Sequence, residues 1–329
     1  MNGMETNPLA PDNHGPTVCI GEILVEIVAT DVGTGFLDAQ PLVGPYPSGA
    51  PAIFIDQCGR IGGSAAMIGA VGNDDFGRVN VDRLLRDGVD ISAISIDPEY
   101  PTGSAFVRYR PDGSRDFVFN IAKSAAARIS WTDAVKKLIE RSGHLHIMGS
   151  ALSMPSAVEV IDRAVGIIKS RGGTVSVDPN IRKELKLDGA TERRFANLIS
   201  MADLLLPSGE ELERAAGVEG EEAAIRRLFE LGVKEIVLKR GADGASYFSH
   251  ERERIDVPAF DVQEVDPTGA GDCFGGAYLA CRRLGMPPEQ ALTYGAAAGA
   301  RNVTMRGPME GAGSREELEL FISSIGRRG

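Results

Sequence analysis

The sequence predicts an α/β protein, with a mostly parallel central sheet flanked by helices and a small β-sheet lid. Three observations carry this. Short apolar runs alternate with helix-spaced segments at the pace of βαβ units. Residues 102–120 break that rhythm with a hairpin signal. The composition, 43% hydrophobic and 25% charged over 329 residues, suits a globular chain that buries a large core without disulfides or metals.

Taken in order, residues 1–16 are polar and rich in Pro and Asn, and are expected to form a disordered tail before one domain at 17–329. Val18–Val28 reads as one strand with a Gly interruption. Ala50–Ile61 carries apolar residues at helical spacing through Ala52, Ile55, Cys58 and Ile61. Ala65–Val71 is a strand, Asp75–Asp87 an amphipathic helix, and Ile91–Ile96 a strand. Ala105–Phe119 then gives two strand-like runs around Pro111-Asp112-Gly113, a hairpin inserted as a lid, to which residues 36–43 add a further strand. Pro155–Arg171 is a helix with Pro in its first turn and an apolar stripe through Val158, Ile161, Val165 and Ile168. Strands follow at Thr174–Val177, Leu204–Leu206 and Lys234–Leu238. Helices follow at Gly271–Leu284, Pro288–Val303 and Ser314–Ile325.

The formal net charge of −11 argues against nucleic acid as a partner. The four cysteines form no CxxC pair and read as reduced, buried thiols of a cytoplasmic protein. No apolar run approaches the ~20 residues of a membrane span, and the start lacks a signal-peptide pattern. Asp75-Phe76-Gly77 has no accompanying His-Arg-Asp loop, and no GxxxxGK[ST], GxGxxG after the first strand, or GxSxG occurs. His144 and His146, two apart on a strand, lack further zinc ligands and read as a surface or core-edge pair.

The most informative stretch is Asp266-Pro-Thr-Gly-Ala-Gly-Asp-Cys-Phe-Gly-Gly276. Gly269 and Gly271 let backbone N–H groups converge without Cβ obstruction. The helix-like run that follows places Gly269, Ala270 and Gly271 at a helix N-terminus, where unpaired donors and about +0.5 of a charge suit phosphate. Asp272 sits in the same turn. It is either a base that deprotonates a hydroxyl attacking a γ-phosphate or a plain helix N-cap.

This stretch resembles the second signature of the ribokinase-like (PfkB) carbohydrate kinases, and the likeness runs from about Val18 to Ile325. Gly21-Glu-Ile-Leu-Val-Glu26 looks like the family's first strand, with Glu26 where sugar hydroxyls are bound. Ser48-Gly-Ala-Pro-Ala-Ile53 resembles the substrate loop, which includes Gly49, although Ile53 replaces an Asn and Ser48 a Gly. Gly72-Asn-Asp-Asp-Phe-Gly77 and Asp178-Pro-Asn-Ile-Arg182 match further family segments. Glu211 is similar to the Glu of an Asn-x-x-Glu motif that influences magnesium, with Ser208 in place of the Asn. Lys239-Arg-Gly-Ala-Asp-Gly244 resembles the nucleotide-binding turn, so Lys239, Gly241 and Gly244 are expected beside ATP. The loop from Asn302 to Gly313 looks like the adenine and monovalent-cation region.

The resemblance implies a ribokinase-like fold and ATP-dependent phosphorylation of a sugar hydroxyl. Magnesium would be held through water by Glu211, and potassium near Asp266 and Thr268. Amides of Gly269, Ala270 and Gly271 would stabilise the transferred phosphoryl, and Asp272 would be the base. A subgroup likeness, in residues 44–56 and 101–110, makes a ketohexose such as tagatose or fructose the first expectation and 2-keto-3-deoxygluconate the runner-up. Arg108 and Arg110 share a strand face that either covers the substrate, with Arg182 as a second Arg, or is a solvated charged surface. Phe106 and Phe119 either stack on a sugar ring or pack the lid. Asp56 either supplies the polar contact that Ile53 lacks or is an exposed helix residue. Lids of the family often pair between subunits, so a homodimer through the lid is expected. A non-catalytic sugar or nucleotide sensor is the reading of another class, and a retained Asp272 argues against it.

Overall fold

The computed structural model describes residues 7–180 and 189–327. Its elements are β1 (Thr17–Ile20), β2 (Leu24–Ala29), β3 (Leu42–Ser48), α1 (Ala50–Arg60), β4 (Ala65–Gly72), α2 (Asp75–Arg86), β5 (Val89–Asp97), β6 (Gly103–Tyr109), β7 (Arg115–Asn120), α3 (Asp133–Arg141), β8 (His144–Met148), α4 (Pro155–Ser170) and β9 (Thr174–Asp178). They continue with α5 (Gly189–Met201), β10 (Leu204–Leu205), α6 (Glu211–Ala216), α7 (Glu221–Glu230), β11 (Glu235–Lys239), β12 (Ala245–Ser249), β13 (Ile255–Val257), α8 (Ala270–Arg283), α9 (Pro288–Val303) and α10 (Arg315–Ser324).

Nine strands form one sheet in the order β13-β12-β11-β10-β9-β8-β1-β4-β5. All its pairings are parallel except β11–β12 and β12–β13. Strand alternation sorts side chains between two cores. Val18 and Ile20 of β1 and Ala66 and Ile68 of β4 pack with Ile161 of α4 and Leu198 of α5. Cys19 and Met67 face the other way, toward Phe54 and Ile55 of α1 and Cys273 and Ala277 of α8. A parallel sheet covered on both faces is thus the observed architecture, as the alternation predicts.

The lid is a second sheet in the order β3-β2-β6-β7. Its composition corrects two expectations. The strand expected over Val18–Val28 is two strands in different sheets, β1 and β2, broken at Gly21, where a Cβ would lie 2.6 Å from Pro51 Cγ. The added lid strand is Leu42–Ser48, not 36–43. The tail is also corrected from residue 7 onward. Leu9 is buried, Ala10 N–H donates to Thr174 Oγ1 at 3.0 Å, and buried Arg283 donates to the carbonyls of Ala10, Pro11 and Gly15.

His144 and His146 are fully buried rather than at an edge. His144 bonds Thr174 Oγ1 (2.7 Å) and Ser176 Oγ (2.8 Å), and His146 bonds Ser176 Oγ (2.7 Å) while stacking on Phe54 at 3.6 Å. Burial pushes both pKa values well below the ordinary histidine range. The four cysteines are buried and unpaired. Among the described residues no helix is long and apolar enough to cross a membrane.

Candidate active site

Two cavities meet at Lys239, Pro267 and Gly271, and the lid lines one of them. One, of about 260 Å³, has apolar walls from Phe260, Val262, Phe274, Ala296, Ala300 and Val303, and is floored by the Gly241–Gly244 turn. The other, of about 410 Å³, is polar. Glu26, Ser48, Asn180, Glu211, Arg115 and Asp272 line it, with Phe117 and Phe119 of β7 as an aromatic side. Lys239, Pro267 and Gly271 border both.

The junction is the start of α8. Gly269 is its N-cap at φ +80°, a left-handed conformation, and a Cβ there would sit 2.3 Å from Pro308 O. The first N–H groups of an α-helix lack intrahelical partners, so this end offers donors and positive potential to the place where the cavities join. Asp272 lies three residues beyond the cap, not at it, which removes the N-cap reading. Its Oδ1 is 3.4 Å from Asn180 Nδ2. Asn180 is the one non-glycine with positive φ (36°) among the described residues, and its N–H reaches back to Asp178 Oδ1 at 3.2 Å. Such backbone outliers concentrate at functional sites.

The structure brings most of the expected residues together. Gly269, Gly271, Asp272, Glu26, Ser48, Gly49, Ile53, Glu211 and Thr268 line the polar cavity. Ala270, Gly271, Gly241 and Gly244 line the apolar one. Glu211 Oε2 accepts from Ser208 N–H at 2.8 Å. Lys239 is buried, with Nζ 2.5 Å from Asp178 Oδ2. Burial works against its charge, but Asp178, Glu211 and Asp272 outweigh that and hold its pKa above the ordinary lysine value.

Several expectations are corrected. Asp56 neither faces the cavity nor is exposed. It is buried against Arg83 at 3.1 Å, and burial pushes its carboxyl up to about 7 despite Arg83. Phe106 and Arg108 lie on the outer lid face. Phe106 meets Phe36 edge-on at 6.4 Å, and the Arg108 guanidinium donates to the carbonyls of Asp31, Thr34 and Gly35. The inner face carries the alternate residues: Ala105 pairs with Phe119, Val107 with Phe117, and Tyr109 with Arg115. Phe117 and Phe119 stack at 5.1 Å. Asn302 is fully buried and lines neither cavity; its Nδ2 donates to Thr268 O at 2.8 Å, bracing the loop. Arg182 lies outside the described residues.

The residues expected beside potassium accept hydrogen bonds from several elements. Asp266 Oδ1 accepts from Tyr109 Oη (2.5 Å) and Thr268 N–H (3.0 Å), and Oδ2 from Gly307 N–H (3.0 Å). Thr268 O accepts from Asn302, and Thr268 Oγ1 from Arg115 at 2.9 Å. Asp266 Oδ1 is filled by two donors, while Asp266 Oδ2 and Thr268 O each accept one hydrogen bond and keep a further lone pair. Magnesium is different. Among the described residues no three His, Cys, Asp or Glu side chains form a metal cage. A magnesium ion carried on nucleotide phosphates needs only one or two carboxylates, and Glu211 fits that use.

Sequence reading missed Asn180 and Arg115. The first is signalled only by its Asp-Pro-Asn context, and the second by strand parity once the inner face is known.

Residues 17–314 match the family described as pfkB family carbohydrate kinase. The chain is 32% identical to Fructokinase-1 of Oryza sativa subsp. japonica over 93% of its own length and 97% of the relative's. It is 33% identical to the 2-dehydro-3-deoxygluconokinase of Thermoproteus tenax, covering 94% of each. A crystal structure of an E. coli protein provisionally named Ribokinase II, in complex with ATP and Mg2+, superposes with a TM-score of 0.88 at 46% identity, covering 94% of this chain and 99% of that one.

Proposed function

The chain belongs to the pfkB family of carbohydrate kinases and is a sugar kinase, and from that premise we propose that it transfers the γ-phosphoryl of ATP to a hydroxyl of a ketohexose, fructose or tagatose. One observation carries the reading: a carboxylate, Asp272, at the N-terminus of α8, where an apolar nucleotide-sized cavity opens into a polar, aromatic-sided one.

In this reading the adenine occupies the slot between Phe260, Phe274 and Ala300, and the phosphates run to the first turn of α8. Amides of Gly269, Ala270 and Gly271 stabilise charge as it grows on the transferred phosphoryl. Asp272, oriented by Asn180, takes the proton of the attacking hydroxyl. Glu26, Ser48 and Asn180 bind hydroxyls, and Phe117 and Phe119 cover the sugar face and exclude water. Glu211 would hold magnesium carried on the nucleotide, which would supply positive charge against the phosphates. Potassium beside Asp266 and Thr268 would shape the anion hole without reacting. The same reading has the enzyme in the cytoplasm, where ATP is spent and four free thiols stay reduced. It also has the enzyme pairing as a homodimer through the lid, whose Leu42 and Val118 are exposed.

A second acceptor is favoured by a specific observation. Arg115 brings a guanidinium to the polar cavity, which suits the carboxylate of 2-keto-3-deoxygluconate. Magnesium-dependent ADP release with fructose, tagatose, 2-keto-3-deoxygluconate and ribose decides between them. The highest kcat/KM is expected with a ketohexose. Preference for the keto-deoxy acid by more than tenfold would transfer the assignment to it, and no release with any acceptor would leave a binding protein.

A further inference from the structure

Four cationic side chains are buried among the described residues: Arg83, Lys239, Arg282 and Arg283. Three are spent on structure. Arg83 bridges Asp56 and Asp87 and donates to Met309 O. Arg282 holds Glu235 and Met286 O. Arg283 ties down the N-terminal segment through Ala10, Pro11, Gly15 and Thr17. Lys239 differs in place and in bonding. It ends β11, borders both cavities, and its Nζ lies 3.5 Å from where a Cβ on Gly271 would be. One of its three N–H donors goes to Asp178, and no further acceptor bonds it among the described residues.

Asp178 ends β9, two strands away in the sheet from β11 across β10, so the pair closes over the carboxyl ends of the strands, where open α/β sheets bind ligands. Asp178 also receives the N–H of Asn180, whose side chain reaches Asp272. The ammonium and the base are therefore positioned by one short chain of contacts. With Asp178, Glu211 and Asp272 around it, the ammonium stays charged through the pH range of the reaction.

Resting on the sugar-kinase reading, we propose that Lys239 is a catalytic residue that contacts the phosphoryl group in flight between the two cavities, with Asp178 as its positioning residue. The bond between the γ-phosphorus and the β,γ-bridging oxygen breaks, and its electron pair leaves with ADP. The bond from phosphorus to the acceptor oxygen forms, and that oxygen's proton passes to Asp272. Lys239 keeps its proton throughout and offsets charge on the equatorial oxygens, which is greatest midway. Asp178 lines the polar cavity as well, so the pair sits at the junction, and two of the ammonium's three donors are directed to no described acceptor there.

The test compares Lys239→Met, Lys239→Arg and Asp178→Asn with the wild-type chain in kcat, acceptor KM, and affinity for ATP and for ADP with aluminium fluoride plus sugar, a mimic of the planar phosphoryl. Lys239→Met is expected to lower kcat by about 10³-fold with acceptor KM changed less than about threefold, within the range for a lost transition-state charge contact. It should lose the aluminium fluoride complex while retaining ATP. Lys239→Arg should recover at least about tenfold, and Asp178→Asn, which keeps the ammonium, should cost only about tenfold. Should Lys239→Met fold poorly with Asp178 left unpaired, the Lys239→Met/Asp178→Asn double variant removes that charge, and the same loss is expected. A fall in kcat below about fivefold, or equal weakening of ATP and the aluminium fluoride complex, would overturn the proposal. An inactive wild type would instead fail the kinase reading, and the two ligand affinities would still report on Lys239.

Discussion

Replacing Gly271 by Ala separates the demands of folding from those of phosphate binding. Gly271 is the second residue of α8 and has helical backbone, so alanine is the better helix former there, worth up to about 0.5–1 kcal/mol. The added Cβ meets Lys239 Nζ at 3.5 Å, an ordinary contact, so the fold loses nothing. Yet that methyl stands at the junction of the cavities. A phosphoryl group pushed off the amides there loses the equivalent of one anion-hole donor, about 2.7–4 kcal/mol, or 10²–10³ in rate. Thermal unfolding and steady-state ADP release on one preparation read both effects. The expected result is an unchanged or slightly raised Tm with kcat/KM down at least about 10²-fold. The matching Gly269→Ala change should cost stability as well, because φ is +80° and Pro308 O lies 2.3 Å from the new Cβ. Turnover of Gly271→Ala within threefold of wild type would refute the placement of the phosphate.

Replacing potassium by tetramethylammonium in the assay should lower kcat at least about threefold, because Asp266 Oδ2 and Thr268 O keep acceptor capacity for an ion that shapes the anion hole; identical kcat in the two salts would contradict this. Arg115→Ala should raise acceptor KM about 10–100-fold by removing a charged hydrogen-bond donor from the polar cavity, whereas Arg108→Ala on the outer lid face should leave it unchanged; acceptor titrations of both variants check the face assignment. His146 is held neutral in the fold, so its folded pKa lies below its unfolded value near 6.5, and the unfolded chain binds the extra proton as pH falls. Stability therefore drops with acid, and in urea unfolding between pH 7.5 and 5 the His146→Gln variant should lose about one proton's share of that slope, about 1.4 kcal/mol per pH unit below 6.5.

Much of this architecture was legible in the residues. The stripes of α1 and α4, and the start of α8 at the Gly-Ala-Gly turn, follow from local spacing and local backbone needs. What was not legible depended on partners distant in sequence. Asp56 gives no sign of burial without Arg83, which is 27 residues away. The buried histidines need Thr174 and Ser176 on the neighbouring strand. The lid failed by one residue of parity. Arg108 and Arg115 are equally basic on the page, and only the pairing of Tyr109 with Arg115 turns the latter inward. Asp266 and Thr268 match a cation-site pattern, and the hydrogen bonds they accept from Tyr109, Arg115 and Asn302, which come from other elements, were not legible in that stretch.

The most direct measurement is turnover of Asp272→Asn beside its affinity for ATP. The substitution keeps size and helix position and removes the carboxylate at the start of α8 that is proposed to accept the hydroxyl proton. The account predicts kcat lowered by at least about 10²-fold, with ATP bound as in the wild-type chain. Equal turnover in the two proteins would mean that the carboxylate beside the anion hole is not the base.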